Sequence, residues 1–408
     1  MTKHILIRKN HKIIHALWQD NRVMELHVTD TDALSLVGTI CIAKVTKVVS
    51  NLNAAFVRMG EKEMAFLSLE DVSHGVVYTS ARATGKRLVA GDEILVQVTK
   101  DPTKTKDATV STELSLSGRY VVVLSGEKGI HISGKIKQTR QGQNLKTAIV
   151  QYMTAHHPEF AGGLIIRTGA LQLSEEDRSV LYTELELLLE RLTHLIQTAS
   201  YRSCYSVLYR PFPAYLTRLQ SAGAVPEQVV TDDAELFAEL QTYCSQAYPE
   251  LVERVTFYED RQVPLSALYS LGKWMGEALS ERVWLPSGGY LVIQPTEALT
   301  VIDVNSGKFA GHTSAEETHR RTNAEAAKEI ALQMRLRNLS GIVIIDFVDM
   351  KQPEYREQLM QQLRQYCKAD PVKTTVVDMT KLNLVEVTRQ RTTKPIYELL
   401  HPAELEKE

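Results

Sequence analysis

The spacing of apolar residues changes several times along the 408-residue chain, and each change predicts a separate structural unit. Residues 1–33 hold two apolar runs, 4–7 and 13–18, with turn-forming residues between them. The runs predict strands of a unit that this segment is too short to complete. We therefore expect them to pair with residues 214–280, where the pattern predicts helices and one strand, 255–258.

Residues 34–118 follow a period of two, which is typical of strands with one buried face. The predicted strands are 39–49, 54–59, 64–69, 93–99 and 109–116. Five short strands separated by turn residues predict a small closed barrel of the OB type.

Residues 119–213 mix the strand period of two with the helical period of about 3.6, and residues 281–400 alternate strand with helix. In the first stretch we predict strands 120–124 and 164–168, a helix near 144–155, and a helix 175–197 with Ser174 as its candidate N-cap. In the second we predict a hairpin of strands 290–294 and 300–304, helix 315–338, strand 341–347, helix 354–368, and strands near 374–378 and 384–387. The fold class is therefore α/β, in a multi-domain α+β arrangement, with residues 401–408 as a tail.

The composition narrows the function classes. A formal net charge of -2 excludes a uniformly basic surface, so any binding of nucleic acid must use local clusters of positive charge. The basic amino terminus lacks the apolar core of a signal peptide, and no apolar run approaches the roughly 18 residues of a membrane span. The four cysteines are scattered without a CxxC pair, which gives neither a local zinc clamp nor a disulfide framework. These features predict a cytoplasmic protein.

Two apolar strands each run into an aspartate, Asp303 in TVIDVN and Asp346 in IVIIDFVD. A strand buried on both faces delivers its carboxyl-end residues to one rim of its sheet, so neighbouring strands would bring these carboxylates together. Two such carboxylates repel each other unless a proton or cation lies between them. Carboxylate ligands without His or Cys favour a hard ion, here Mg²⁺ or Mn²⁺.

Asn305 lies two residues beyond Asp303 and points to the same face, where it suits a donor to a phosphate oxygen or to the attacking water. Lys308 adds a cation after a flexible Ser-Gly, and Asp349 is a secondary candidate for the metal site. The alternative is structural, because strand-terminal aspartates also cap the turn or helix that follows.

The predicted barrel carries Phe56 and Phe66 on adjacent strands, where aromatic rings of OB barrels stack unpaired bases. Neighbouring lysines suited to a phosphate backbone are Lys44, Lys47, Lys100, Lys104 and Lys106. The competing interpretation places both phenylalanines in the barrel core.

A second basic segment covers residues 119–150, where six cations stand against one acid, Glu127. The six are Arg119, Lys128, Lys135, Lys137, Arg140 and Lys146. The segment is either a strip for RNA or a solvated loop. Nearby, Arg167 and Thr168 end a strand with a guanidinium and a hydroxyl that suit a terminal phosphate.

Together these residues resemble the catalytic half of the ribonuclease E / ribonuclease G family. The resemblance covers nearly the whole chain in the same order, and the block from 296 to 350 is highly specific. The matching stretches are AAFV (54–57), VTKDP (98–102), GLIIRT (163–168), LPSGG (285–289), TEALTVIDVNSG (296–307), GIVIIDFVDM (341–350) and VTRQR (387–391).

The resemblance implies an RNase H-like fold (1–33 and 214–280) interrupted by an OB-type RNA-binding barrel (34–118) and a 5′-sensor subdomain (119–213). A DNase I-like catalytic subdomain (281–400) would follow. It also implies roles for single residues. Asp303 and Asp346 match the magnesium ligands and Asn305 their partner at the scissile phosphate, while Phe56, Phe66 and Lys106 match positions that hold single-stranded RNA. Val122, Arg167 and Thr168 match the pocket for a 5′-monophosphate.

Two departures from the family pattern stand out. A CPxC motif that shares zinc between protomers usually follows TRQR, whereas this chain has no cysteine after Cys367. We therefore predict no structural zinc, and any homodimer would form without a zinc link. Asp107 also replaces the usual glycine beside Lys106. This sequence shows no long disordered extension, and we therefore expect the chain to be closer to the ribonuclease G type.

The sequence thus predicts a magnesium-dependent endoribonuclease that hydrolyses single-stranded RNA, is stimulated by a 5′-monophosphate, and acts in rRNA processing or mRNA turnover. Two rivals stay open. One is a non-catalytic RNA-binding protein that uses only the barrel, and the other is a metal-dependent DNase or phosphatase.

Overall fold

A computed structural model of the chain describes residues 2–70, 72, 77–79, 88–102, 106–134, 136–220, 225–260, 262–307 and 315–401. The chain divides into two units, one formed by Met1–Ala33 with Ala214–Glu408 and the other by Leu34–Pro213. Of the residues singled out above, Lys104, Lys135 and Lys308 lie outside the described part, as does the tail from 402 onward.

The first unit contains strands and helices from both ends of the chain. Its strands are β1 (Thr2–Lys9), β2 (Lys12–Gln19), β3 (Arg22–Asp30), β14 (Gln228–Thr231), β15 (Val255–Phe257), β16 (Arg282–Trp284), β17 (Tyr290–Pro295), β18 (Leu299–Asn305), β19 (Gly341–Asp346), β20 (Thr374–Met379) and β21 (Leu384–Arg389). Its helices are α3 (Ala214–Thr217), α4 (Ala234–Ala247), α5 (Leu265–Leu268), α6 (Leu271–Leu279), α7 (Ala315–Leu336), α8 (Pro353–Cys367) and α9 (Ile396–Leu399).

The amino-terminal strands lie in a five-stranded sheet of order β15-β14-β1-β2-β3. Strand β1 pairs in parallel with β14, so the later stretch completes the sheet that residues 1–33 begin. Strand β3 was not predicted, because Glu25 and His27 interrupt its apolar residues. The structure explains these polar positions, since Arg335 forms an ion pair of 2.6 Å with Glu25, and Glu25 in turn contacts His27.

The second sheet of this unit has the order β16-β17-β18-β19-β21-β20. Strands β17 and β18 form the predicted hairpin, and β18 pairs in parallel with β19. The sequence predicted strands buried on both faces, and this is wrong for β18, where buried and more exposed residues alternate. Among the described residues, α7 and α8 cover one face only, with Ile302, Val304 and Val343 beneath them. We call the opposite side of this sheet the open face.

Strand order explains why both helices lie on one side. Strands β18, β19 and β20 are mutually parallel, since β21 is antiparallel to both β19 and β20. The two connections therefore step across the sheet in the same direction. Right-handed crossovers that move in one direction place their helices on the same face.

Helix α7 contributes to both cores of the unit. Its residues from Ala326 to Met334 pack on the six-stranded sheet, while Leu336 belongs to the core of the five-stranded sheet. Arg22, at the start of β3, adds an ion pair of 2.6 Å to Glu329 of α7. The helix therefore ties the sheet of the amino-terminal strands to the sheet that carries Asp303 and Asp346.

A buried ion pair explains part of the VTRQR stretch. Arg389 and Asp370 are 4% and 6% exposed, and the Arg389 Nε lies 2.7 Å from Asp370 Oδ2. The same guanidinium donates to Asn338 Oδ1 and to the carbonyl oxygen of Leu339, just after α7. Arg389 thus joins the end of α7 to the segment before β20.

The second unit begins with a barrel. Its strands are β4 (Ile40–Val49), β5 (Ala54–Arg58), β6 (Met64–Ser68), β7 (Glu93–Lys100) and β8 (Ala108–Ser111), and a pairing between β4 and β7 closes it. The closed five-stranded barrel is consistent with an OB-like domain. The single strand predicted for 109–116 is wrong, since β9 (Ser115–Ser117) leaves the barrel and joins the next sheet. The Gln97 side chain binds both backbone groups of Ser115 and fixes this departure.

The rest of this unit packs helices against a sheet of order β11-β12-β10-β9. The elements are β10 (Val121–Leu124), β11 (Gly129–Ile132), β12 (Gly163–Ile166), α1 (Arg140–His156) and α2 (Arg178–Ala199), while the later β13 (Val207–Tyr209) pairs with β4 of the barrel. Helix α2 begins later than predicted, with Asp177 at its N-cap position. The predicted N-cap Ser174 instead accepts a hydrogen bond from the backbone N–H of Asp177, which stabilises the preceding turn.

None of the helices in the described part of the chain combines the length and apolar character needed to span a bilayer.

Candidate active site and RNA-binding surfaces

Asp303 and Asp346 are direct register partners on the parallel strands β18 and β19. Neighbouring strands lie about 4.8 Å apart, and paired residues point to the same side of a sheet. Both aspartates lie on the open face and are exposed. The sequence therefore identified two carboxylates that the fold brings next to each other, at the carboxyl ends of two parallel strands.

Asn305 lies on the same face, one pleat beyond Asp303. Its Nδ2 donates to Asp303 Oδ2 at 2.7 Å, so the amide orients this carboxylate. The end of β18 at Asn305 also lies against the tight turn at Gly288 and Gly289. A Cβ at Gly289 would come 2.7 Å from the Asn305 carbonyl oxygen, and one at Gly307 would collide with the carbonyl oxygen of Gly288. The glycines of LPSGG and VNSG thus allow two backbones to approach beside Asn305.

Helix α7 holds the segment that follows Asp346, and the sequence analysis missed this. Asn323 is fully buried, donates from Nδ2 to the Val348 carbonyl oxygen at 2.7 Å, and accepts from the Val348 N–H at 3.0 Å. One helical turn away, His319 Nδ1 lies 2.9 Å from the Asp349 carbonyl oxygen. Glu316 accepts from the backbone N–H of Lys351 at 2.9 Å.

The same helix also holds the glycine turn, since Glu325 Oε2 accepts from the Ser287 N–H at 2.8 Å. Helix α7 therefore supports the backbone on both sides of the acidic pair. A sequence signal existed, because Asn323 is a polar residue among the alanines of the helix's apolar stripe.

The electrostatics of the pair suit a cation. The pKa of the Asp346 carboxyl is raised by its partial burial and by the negative charges of Asp303 and Asp349. A divalent ion would relieve this repulsion. Among the described residues, no group of three or more His, Cys, Asp or Glu side chains could hold a metal ion. Two carboxylates still fit Mg²⁺, which is usually bound through one or two carboxylates with water and substrate phosphate completing its shell.

On the barrel, Phe56 and Phe66 are register partners on β5 and β6, with ring centroids 6.1 Å apart in an edge-to-face arrangement. Both are half-buried on the outer side, while their strand neighbours, such as Val57 and Leu67, fill the core. The alternative that these rings form the barrel core is therefore wrong. Lys47 is the next register partner of Phe56 and is exposed.

Lys47, Phe56 and Phe66 thus form a row across neighbouring strands. Lys100 lies at the other end of this row, because Phe66 pairs with Thr109 and Thr109 pairs with Lys100. Lys106 lies just before β8 and is exposed. A row of two rings with cations at both ends can contact bases and phosphates of a single strand.

Val122, Arg167 and Thr168 lie close together in the same unit. Val122 is on β10, and the Arg167 N–H donates to the Tyr120 carbonyl oxygen at 2.8 Å as the chain leaves β12. The Arg167 guanidinium donates to the carbonyl oxygen of Gly118. Thr168 is exposed and begins a 3-10 helix.

A half-buried carboxylate that the sequence analysis missed holds the backbone that Arg167 contacts. Glu184 of α2 accepts from the backbone N–H groups of Arg119, Tyr120 and Val121 at 2.7 to 3.1 Å. Burial raises the pKa of the Glu184 carboxyl, although these hydrogen bonds and Arg167 favour its charged form. A Cβ at Gly118 would collide with this carboxylate, so a larger residue there would have to displace Glu184 from its three hydrogen bonds.

Paired carboxylates at strand ends, combined with a small barrel that carries outward aromatic rings, are typical of enzymes that cut nucleic acids. Comparisons with known proteins agree. Residues 115–392 match the model of the Ribonuclease E/G family. Ribonuclease G of Haemophilus influenzae is 33% identical over 395 residues, which cover 94% of this chain and 78% of that protein.

Ribonuclease G of Escherichia coli is 31% identical, with 98% of this chain and 82% of that protein covered. Ribonuclease E of a Nostoc species is 33% identical over 98% of this chain and 57% of its own length. The chain belongs to the ribonuclease E/G family. It is an endoribonuclease, and its substrate is RNA.

Proposed function

We propose that the chain hydrolyses internal phosphodiester bonds of single-stranded RNA at the open face, with Mg²⁺ held by Asp303 and Asp346. Mn²⁺ prefers the same carboxylate oxygen ligands as Mg²⁺ and therefore suits the same pair of aspartates. The observation that carries the proposal is the register pairing of the two aspartates at the ends of parallel strands. The hydrogen bond from Asn305 to Asp303 supports it.

The chain's own residues would orient the reaction. Asn305 holds the Asp303 carboxylate in place, and its uncharged amide adds no repulsion toward a phosphate. Asp346 is held by the backbone contacts between the following segment and α7. The bound cation supplies positive charge that stabilises the phosphate as negative charge develops on it. A water oxygen bonds to phosphorus as the bond to O3′ breaks, which leaves a 5′-phosphate and a 3′-hydroxyl.

The test replaces each aspartate by its isosteric amide. Asp303→Asn and Asp346→Asn should each lower kcat by a thousandfold or more. Each variant would lose on the order of 4 kcal/mol of transition-state stabilisation by the bound cation. Binding of RNA by a gel-shift assay should stay nearly unchanged. Asp378→Asn, which alters an exposed aspartate of the same sheet, serves as the control. Retained turnover in both active-site variants would refute the metal assignment.

We further propose that Phe56, Phe66 and Lys106 hold the single strand on the barrel. Stacking on aromatic rings requires unpaired bases, which gives the preference for single strands. Competition between single-stranded RNA and a duplex of the same sequence tests this point. Equal cleavage of the two would contradict it.

Arg167, Thr168 and Val122 form a proposed pocket for a 5′-monophosphate. The guanidinium and the hydroxyl are suited to a doubly charged phosphate, and Glu184 fixes the backbone beside them. RNA with a 5′-monophosphate should then be cut faster than the same RNA with a 5′-hydroxyl. Thr168→Val should reduce this ratio, while equal rates in the unaltered protein would contradict the role.

The subdomain assignment is part of the same proposal. The RNase H-like part is residues 1–33 with 214–280, the OB barrel 34–118, the 5′ sensor 119–213, and the DNase I-like part 281–400. Precursors of rRNA and mRNA are the proposed substrates. Any homodimer would lack a zinc link, and light scattering with and without a chelator tests that expectation.

A further inference from the structure

Trp284, Tyr290 and Arg282 form a cluster of stacked side chains on the open face. The rings of Trp284 and Tyr290 have centroids 5.3 Å apart at an angle of 59°. The Arg282 guanidinium lies over the Tyr290 ring at 4.5 Å and over the Trp284 ring at 5.8 Å. We call these three residues the stacking platform.

The sheet register fixes where the platform lies relative to the acidic pair. Trp284 pairs with Tyr290, and Tyr290 pairs with Asn305, so these three side chains form one row across three strands. The adjacent row runs from Arg282 through Val292 to Asp303 and Asp346. At about 4.8 Å per strand, Tyr290 is one strand spacing from Asn305 and Trp284 is about 10 Å away. An extended nucleic acid strand covers this distance in one or two nucleotides.

The platform is open to a ligand. Trp284 is 64% exposed, which is unusual for the largest apolar side chain. Arg282 takes part in no ion pair among the residues that the structure describes.

We infer that this platform stacks a nucleobase of the RNA substrate one or two nucleotides from the scissile phosphate. The inference rests on the proposed cleavage site at Asp303 and Asp346 and assigns the neighbouring subsite. The Trp284 ring contacts the base, Tyr290 supports the ring, and Arg282 adds positive charge toward the adjacent phosphate.

The chemistry favours RNA over other occupants. Every base has a π-face, so an indole accepts any of them, and arginine stacks on rings while keeping its charge for a phosphate. The platform also shares its sheet face with the acidic pair, so a strand that crosses the acidic pair reaches the platform without leaving the surface. A positive side chain here also offsets the repulsion between the carboxylates and the RNA backbone.

The experiment uses the full-length protein and a single-stranded oligoribonucleotide with one cleavage site. Abasic nucleotides are placed one at a time at the positions that flank the cleaved bond. In the unaltered protein, one abasic position within two nucleotides of the bond should lower kcat/KM about tenfold, the typical effect of losing one stacked base. Trp284→Ala should cause a similar loss with the intact RNA, and the same abasic nucleotide should then cause no further loss. Trp284→Phe should restore most of the activity.

Ile342→Ala is the matched control, because Ile342 is a large exposed apolar residue at the other end of β19 on the same face. Equal sensitivity of Trp284→Ala and the unaltered protein to every abasic position would overturn the inference. A Trp284→Ala variant that loses activity only in parallel with a change in oligomeric state, measured by light scattering, would also overturn it. The proposed function fails by a different result, namely cleavage that persists in Asp303→Asn.

Discussion

The contact between Asn323 and Val348 allows a quantitative prediction about the active site. Asn323 is fully buried in α7 and makes two hydrogen bonds, of 2.7 and 3.0 Å, with the backbone two residues after Asp346. Asn323→Leu preserves the approximate size of the side chain and removes both hydrogen bonds. The carbonyl oxygen and N–H of Val348 then lose their partners.

The substitution should lower the free energy of unfolding, because the two backbone groups of Val348 lose their hydrogen-bond partner inside the protein. A buried backbone group left without a partner costs about 1–3 kcal/mol, so two groups cost roughly 2–6 kcal/mol if nothing moves. The segment can shift and recover part of this by contacting water. We therefore expect a loss of about 3 kcal/mol in the free energy of unfolding. The shift would displace Asp346 from its partner Asp303.

Two measurements check this expectation. Urea denaturation followed by circular dichroism should show the loss of stability, while Lys328→Leu, which places the same residue on the exposed side of α7, should show little change. At a temperature where the variant is folded, the Mg²⁺ concentration for half-maximal cleavage should rise by about tenfold, with little change in KM for RNA. Unchanged Mg²⁺ dependence would refute the positioning role, and unchanged stability would refute the energetic reasoning.

Three further predictions concern the buried histidines, the buried ion pair and the barrel. Burial lowers the pKa of His4 from 6.5 to about 4 and also lowers the pKa of His15. Between pH 6.5 and about 4 the unfolded chain therefore binds more protons than the folded chain, and the free energy of unfolding decreases as the pH falls through this range. The loss is about 2 kcal/mol at pH 5 for His4 alone, and a urea midpoint that stays constant from pH 7 to 5 would contradict it. Asp370→Ala should cost about 3–5 kcal/mol by leaving Arg389 buried without its carboxylate, measured by thermal denaturation, and a loss below 1 kcal/mol would refute the argument. Phe66→Ala should weaken binding of single-stranded RNA about tenfold in a filter-binding assay, and a variant that binds as tightly as the unaltered protein would exclude the ring as a stacking site.

The sequence by itself determined the local elements near the acidic pair. The hairpin of β17 and β18, the long helix and β19 all follow from apolar period and turn residues, which act over a few neighbouring positions. The identity of Asp303, Asn305 and Asp346 as candidates followed from their place at strand ends. Short or polar strands such as β3, β14 and β16 escaped prediction, because their apolar pattern is too brief or is interrupted by residues such as Glu25.

Only the tertiary structure decided how these elements combine. The pairing of β1 with β14 joins residues more than 220 positions apart, and no local pattern encodes such a partner. The direction of the two crossovers left one face of the second sheet open, and cross-strand register placed the acidic pair and Trp284 on it. Asn323 stands among the alanines of the apolar stripe of α7, a signal that the sequence analysis did not use, and only packing brought it to the backbone beside Asp346. Side-chain chemistry can be read along the chain, whereas long-range pairing decides which side chains meet.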